Sequence, residues 1–371
     1  MKRHSIRAIT YIIIAVAMAV AVIVGVMVAR NWKYRDWRVL RSEKQEETRS
    51  SFYADVNGSI LQYSTDGARL QDRQGGEIWN ISFSMQDPTL IRRGNTLALY
   101  AKRGTEIMVA DRTGKLGSFT TGLPIVKASV SEQGNVAAIL EDDNNAWIGY
   151  YAKDGTAIAA VRTSMDAPGY PMSVSVSPDG ELMAVSYLSF ADGVQKGVVH
   201  IYSFGKSGQN QMDNRIAEFE FGQTIVPEVA FLDDRTCVAF RDNGFTVYEG
   251  TKVPKAVREV DLDREIRSVF YDSSHIGLLL NGDEEGTWRM QVYNRSGGEM
   301  LQEPVSFPYT GVEIRDSEIS LYNGPMLSVY SLNGTEKFNG SYSGDPKYAF
   351  AIGKHRYVFV NDSGFDVVQL R

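Results

Sequence analysis

Tyr170-Pro171-Met172-Ser173-Val174-Ser175-Val176-Ser177-Pro178-Asp179-Gly180-Glu181-Leu182-Met183-Ala184-Val185-Ser186 is the stretch that decides the fold. Its first half alternates small polar and apolar residues, the period of a strand with two different faces. Ser-Pro-Asp-Gly then supplies a turn, since proline presets φ and glycine accepts the left-handed conformation. A second strand follows, apolar and rich in small residues. One hairpin of this kind says little, but its recurrence is informative.

The same turn-then-apolar-strand unit appears seven times. The apolar strands are Leu97–Tyr100, Val136–Leu140, Leu182–Val185, Cys237–Phe240, Ile276–Leu280, Ile319–Tyr322 and Tyr357–Val360. Their starts are separated by 39, 46, 55, 39, 43 and 38 residues. A second motif, an aromatic followed four residues later by glycine, accompanies several of them: Tyr63–Gly67, Tyr151–Gly155, Tyr293–Gly297 and Tyr330–Gly334, with Ala110–Gly114 lacking the ring. A period of roughly 43 residues holding four short strands is that of a β-propeller, in which each unit is a twisted four-stranded blade stacked on its neighbours. The fold class expected is therefore all-β, a propeller of four-stranded blades. The apolar strand of each unit is read as the innermost, lining the axis. Residues 52–73 supply three strands of one more unit (Phe52–Val56, Ser59–Tyr63, Ala68–Asp72), and the last unit, Tyr348–Arg371, also shows three. Eight blades is the expected count. Seven is the alternative, with N-terminal strands completing the C-terminal blade.

Ahead of the repeats, Ala8 to Ala29 forms 22 residues without a charge. As a helix this length crosses a hydrocarbon core of about 30 Å, and Tyr11 and Trp32 flank it where interfacial aromatics belong. The run is too long for a signal-peptide core and ends in no small-residue cleavage site. The expected organisation is a cytoplasmic tail (1–7), one transmembrane helix (8–29), a polar juxtamembrane stalk (30–51) and a propeller (52–371). Three cations precede the span (Lys2, Arg3, Arg7) and six follow it (Arg30, Lys33, Arg35, Arg38, Arg41, Lys44). That count favours a cytoplasmic domain. The cationic tail and the length of the domain favour the opposite, N-terminus in and propeller extracytoplasmic. The latter is the orientation expected here, as a single-pass protein of the cell membrane.

Composition removes many functions. Hydrophobic residues are 43% and charged residues 23%, values of a foldable chain. The single cysteine, Cys237, lies in an apolar run and excludes a disulfide framework or a CxxC pair. Beyond residue 30 the chain carries −10, a poor surface for nucleic-acid phosphates. The segment Ala110-Asp111-Arg112-Thr113-Gly114-Lys115 only touches the quinoprotein hairpin pattern and lacks its closing tryptophan. No G-x-S-x-G or H-E-x-x-H is present. His200 sits in an alternating strand and is read as half-buried. His275 and His355 follow turns and are read as solvated. No catalytic, cofactor-binding or metal-ligating residue is assigned, and no cofactor is expected.

The anchor, the stalk and the blade order around Tyr170–Ser186, with Val199-His200-Ile201-Tyr202-Ser203 and Ile225-Val226-Pro227-Glu228-Val229-Ala230-Phe231-Leu232, together resemble the bacterial domain of unknown function 5711 family of single-span, propeller-like proteins. The resemblance covers the anchor and most of residues 75–370. It implies an extracytoplasmic domain in Gram-positive-type bacteria and brings no catalytic residue with it.

The fourth unit is the longest. Its extra residues fall in Tyr187–Gly197 and Gly205–Asn214, both read as loops. Loops that exceed what the scaffold needs are where binding tends to reside, so Leu188, Phe190, Asp192 and Gln195 are the candidate binding residues. The expected function is a membrane-anchored module that binds a protein or an envelope polymer without catalysis. The alternative is an envelope glycan hydrolase or lyase using carboxylates near the propeller axis. A passive role in a larger membrane complex, with the span itself contacting partners, is a third reading.

Overall fold

The computed structural model describes residues 14, 16–18, 20–21, 25, 32–44, 51–142, 145–164, 168–191, 193–209 and 211–371. Among these no helix is long and apolar enough to cross a membrane. The expected span at 8–29 lies largely outside the described residues.

Eight antiparallel sheets of four strands each make the propeller. Blades 1 to 7 are consecutive in sequence: 52–82, 88–120, 125–163, 170–220, 228–261, 266–305 and 311–341. Blade 8 takes three strands from 348–370 and its fourth, outermost strand from Trp37–Lys44. This joins what the sequence offered as alternatives. There are eight blades, and an N-terminal strand does complete the last one. Part of the segment expected as a stalk is thus a strand of the propeller. Blade 1 is also full: Phe52–Val56 is its inner strand and Glu77–Ser82 its outer one.

The strands that touch their counterparts around the axis are the first of each blade, such as Ile125–Val130, Tyr170–Val176 and Glu228–Phe231. The recurrent apolar strand is therefore second from the axis, not innermost as expected. Its composition follows from two-sided burial. Thr96–Ala101 and Thr236–Arg241 are buried at every residue because a neighbouring blade covers each face. Small residues there let adjacent blades approach. Hydrophobic clusters accordingly form between blades rather than within them. Val174, Val176, Met183 and Val185 of blade 4 pack with Ala137, Ile139 and Tyr150 of blade 3. At the seam, Tyr53 and Ile60 of blade 1 pack with Ile352, Val358 and Phe365 of blade 8.

The inner strands present an open sheet edge to the axis, which leaves backbone groups to satisfy. The Ser-Val-Ser-Val alternation does this. Ser129 Oγ accepts from the Val176 N–H at 3.1 Å, and Ser175 Oγ from the Phe231 N–H at 3.0 Å. Ser173 Oγ accepts from the Val229 N–H at 3.3 Å and from Lys127 Nζ at 3.2 Å. Near the ends of the inner strands, arginines span the ring. Arg93 of blade 2 donates to the carbonyls of Phe231 (2.8 Å) and Val176 (3.4 Å), on blades 5 and 4. Arg315 of blade 7 pairs with Asp55 of blade 1 and donates to the Ala351 carbonyl of blade 8 at 3.3 Å. Arg92 of blade 2 approaches the same Asp55 carboxylate at 3.7 Å.

Closure is completed at the rim. Trp37–Lys44 pairs along its length with Gly364–Leu370, with a bulge between Val39 and Arg41. Trp37 anchors it against Phe338, Tyr342 and Phe359, with ring centroids 5.3–6.3 Å apart. Asp55 is 3% exposed and serves the half-buried Arg315 and the more exposed Arg92, so Asp55→Ala leaves the Arg315 charge uncompensated and the Gly58 N–H without its acceptor. We expect a loss of about 3 kcal/mol, read as a lowered urea midpoint. Asp362→Ala, which removes the exposed pair with Lys347, is expected to change stability by less than about 0.5 kcal/mol.

Candidate site in the cleft between blades 3 and 4

Of the two extra stretches of blade 4, the first is not a loop as expected but an extension of the strands. Leu182–Ala191 and Val194–Ser203 are ten-residue strands paired out to Ala191 and Val194. The equivalent second strands of other blades run five to seven residues. A long hairpin therefore stands beyond its neighbours. The second extra stretch, Gly205–Asn214, ends in a short 3-10 turn, Met212–Asn214, with Asp213 and Asn214 at positive φ, a conformation that Asp and Asn tolerate through local hydrogen bonding.

Residues paired directly across two strands share a face. Phe190 pairs with Gln195 and Leu188 with Gly197, so the described predicted residues lie on one face, turned toward the blade 4–5 connection. There Gln195 Nε2 donates to the Gln223 carbonyl at 3.2 Å, and Gly197 exchanges backbone hydrogen bonds with that connection. Phe190 is exposed and Leu188 half-buried. Asp192 lies outside the described residues. The hairpin brings Leu188, Phe190 and Gln195 together, but a Cβ at Gly197 would meet the Thr224 carbonyl oxygen, so no open pocket exists at that position.

The opposite face of the same hairpin lines a cavity of about 460 Å³. Val198, His200 and Tyr202 form its floor, the exposed Lys196 its edge toward the hairpin tip, and Arg215, Glu218 and Glu220 of the outer strand one side. Val161 and Arg162 from the outer strand of blade 3 (Ala157–Thr163) form the other side, and Met212 and Asp213 the lip. The cleft is thus a product of both extra stretches set against the neighbouring blade.

A chain of polar groups runs up from beneath it. The hydroxyls of Tyr187 and Tyr202 lie 2.8 Å apart, and Tyr202 Oη lies 3.2 Å from His200 Nδ1. His200 Nε2 is 3.3 Å from Glu218 Oε2, which also pairs with Arg215 at 2.7 Å. One direction of donation satisfies every member: Tyr187 to Tyr202, Tyr202 to Nδ1, and Nε2–H to Glu218. In that direction the imidazole is neutral with its proton on Nε2; with the proton on Nδ1, Nε2 instead accepts from Arg215 Nη1 at 3.5 Å. Electrostatics agree. Burial, with a smaller contribution from the Arg215 guanidinium, pushes the His200 pKa down to about 4. Burial pushes Tyr202 up to about 12 and Tyr187 well above its ordinary range. The floor is therefore uncharged, its polar groups bonded to one another, while the walls carry both signs.

His200 is 3% exposed, more buried than its alternating strand suggested. The signal that it shares a face with Tyr187 and Tyr202 exists only once the hairpin register is known. His275 and His355, expected to be solvated, are half-buried; His275 Nδ1 lies 3.0 Å from Asp272, and His355 Nδ1 lies 2.8 Å from Glu318. The quinoprotein-like segment is an ordinary turn, with Asp111 Oδ1 accepting from the Thr113 N–H at 2.6 Å.

With this geometry in hand, comparison with known proteins is informative. Residues 30–370 match the Family of unknown function (DUF5711). The chain belongs to that family. No curated protein matches it. Among solved structures, Sqt1 from Chaetomium thermophilum is 14% identical, covering 86% of this chain and 95% of that one at a TM-score of 0.53. Hsv2 from Kluyveromyces marxianus is 10% identical, covering 79% and 98% at 0.51. A eukaryotic initiation factor is 14% identical, covering 92% of each at 0.50. At such identities the likeness is one of fold: the propeller is shared.

His200 gives a pH test. Its pKa in the folded chain, about 4, lies below the ordinary 6.5. Between those values the unfolded chain takes up a proton that the folded chain refuses. Its contribution to stability is complete above pH 6.5 and is lost as pH falls toward 4, by up to roughly 3 kcal/mol. His200→Gln is expected to flatten the stability-versus-pH curve in that window by about one proton's slope, measured by urea unfolding at a series of pH values.

Proposed function

We propose that this member of the family is a membrane-tethered, extracytoplasmic β-propeller that binds a protein or an envelope polymer without catalysis, and that the cleft between blades 3 and 4 is its binding site. The observation that carries the reading is the cleft itself. It is built from residues the propeller does not need, it has an uncharged floor whose polar groups bond one another, and charged groups of both signs, free to meet a ligand's donors and acceptors, surround it. Such a surface suits a polar chain that contributes both donors and acceptors.

The non-catalytic reading is supported at the axis. The inner strands carry three carboxylates: Asp55, Glu228 and Glu313. Asp55 is held by two arginines. Glu228 accepts from the Tyr271 hydroxyl at 3.1 Å. Glu313 accepts from the Ala351 N–H at 2.7 Å and from the Tyr322 hydroxyl. A glycosidase needs one carboxyl held protonated and a second facing it across the substrate. These three are instead engaged in holding blades together.

The tether and its orientation rest on the uncharged run 8–29, the cationic tail before it and the family resemblance. The test combines the two halves of the proposal. A photo-crosslinking residue is placed in cells at Met212 or Lys196, at the cleft, and at Val257, exposed on the outer strand of blade 5. Discrete adducts are expected from the first two and not from the third, on molecules degraded when protease is added outside wall-stripped cells. Equal adducts at all three sites would remove the cleft from the proposal. Survival of the propeller under protease would remove the extracytoplasmic placement.

A further inference from the structure

The segment that leads into the propeller is bound to it without slack. The Tyr34 N–H donates to the Lys337 carbonyl at 2.7 Å, and the Arg35 N–H to the Arg371 carbonyl at 3.0 Å. The Arg371 N–H in turn donates to the Asp36 carbonyl at 2.9 Å. The Tyr34 hydroxyl meets His355 Nε2 at 2.8 Å, and His355 Nδ1 lies 2.8 Å from Glu318. Tyr34 thereby becomes one wall of a cavity of about 370 Å³, shared with Asn333 and Lys337 of blade 7 and Lys354 of blade 8.

This cavity fixes which side of the ring the chain enters. Asp316-Ser317 and Lys354-His355 are the turns that follow the inner strands of blades 7 and 8, and Arg371 sits beside Asp36. All lie on one face. The hairpin turn Asp362-Ser363 of blade 8, at the other end of the same strands, lies on the opposite face, as does the tip of the long blade 4 hairpin.

Only four residues separate Ala29 from Tyr34, a reach of at most about 18 Å over the five Cα–Cα steps when fully extended. A bilayer's headgroup layer takes up about 5–8 Å of that. The exposed side chains around the entry point are Trp32, Lys33, Arg35, Lys354 and Arg371. The carboxylates among them are Asp36, paired with Arg371 at 2.7 Å, and Asp316. The balance is cationic, although the chain beyond residue 30 is acidic as a whole. At most about 10–13 Å then separates Tyr34 from the headgroup surface, an upper bound little longer than the screening length of about 8 Å at physiological salt.

We infer that the propeller face formed by the turns of blades 7 and 8 docks against an anionic lipid surface, with Lys33, Arg35 and Lys354 making the contact. This rests on the tether reading and adds an orientation to it. The ring is held with this face to the membrane and the blade 4 hairpin away from it. Each cation near an anionic surface strengthens such docking roughly fivefold.

The test uses the full chain reconstituted into vesicles of phosphatidylglycerol with phosphatidylcholine, or of phosphatidylcholine alone. Cys237 is buried, so a membrane-impermeant thiol dye reports on an introduced cysteine. Asn333→Cys places the dye on the docking face and Ser363→Cys on the opposite one. With a headgroup-attached quencher, the dye at 333 is expected to be quenched several-fold more than at 363 in anionic vesicles. The difference is expected to collapse with Lys33→Glu, Arg35→Glu and Lys354→Glu combined, and in phosphatidylcholine alone. Extraction of the chain from the vesicles by alkaline carbonate would overturn the tether reading itself. A chain that resists extraction but shows equal quenching at 333 and 363, or a difference that survives the charge reversals, would overturn the docking inference while leaving the tether in place.

Discussion

A propeller blade has two apolar faces and no stability of its own, so everything here depends on closing the ring. Seven of the eight seams are covalently continuous in the order the chain is made. The eighth depends on non-covalent pairing inside blade 8, which must recruit Trp37–Lys44 from the other end of the sequence as its outer strand before the chain leads on to blade 1. Without that strand the Gly364–Leu370 edge would be an unpaired template for other chains, and Phe338, Tyr342 and Phe359 would lose the Trp37 ring that covers them. The seam is reinforced at the axis, where Asp55 of blade 1 draws together Arg315 from blade 7 and Arg92 from blade 2. Buried charge is an expensive way to add stability. Its use at this position fits a need for register: an arginine that must reach a carboxylate two blades away fixes how the ring is shut.

The repeat was legible because turn chemistry and strand length recur in the sequence. The role of each strand was harder to read. A run such as Thr236–Arg241 is apolar throughout, which fits an axis-lining strand as well as one sandwiched between blades. The inner strands proved to be the more polar ones, because an open edge toward the axis needs serines to satisfy the next blade's N–H groups. The closing strand was hidden for a related reason. As an outermost strand it faces solvent along much of its length, so its composition is that of a polar linker, and nothing local marks its partner more than 300 residues away.

The long blade 4 hairpin shows a different limit. Its excess length marked it in the sequence, yet the residues chosen there share a face whose Gln195 is bonded to the neighbouring connection and whose Gly197 abuts Thr224. The cavity lies on the other face, through Lys196, Val198, His200 and Tyr202. Adjacent residues of a strand point in opposite directions, so a one-residue change of parity exchanges a packed face for an open one. Sequence length locates the hairpin; only the pairing register says which side of it is open. The tyrosines follow the same logic, since Tyr187 and Tyr202 meet only because their strands pair at that offset.

The polar chain under the cleft also constrains what the site can do. With His200 held neutral by burial and Glu218 already shared with Arg215, the floor has neither a charged acid nor a free base aligned for proton transfer. Its hydrogen bonds are directional and committed, running from Tyr187 through Tyr202 and His200 to Glu218. The ring places this floor on the flank between two blades, while Arg93 spans the axis between blade 2 and blades 4 and 5. Neutral hydrogen-bonding depth is thus found where extra sequence was added, and charge is concentrated where the ring must be held shut. In that division of labour the scaffold keeps its rigidity, and the blade 4 hairpin can vary in sequence without loosening the closure.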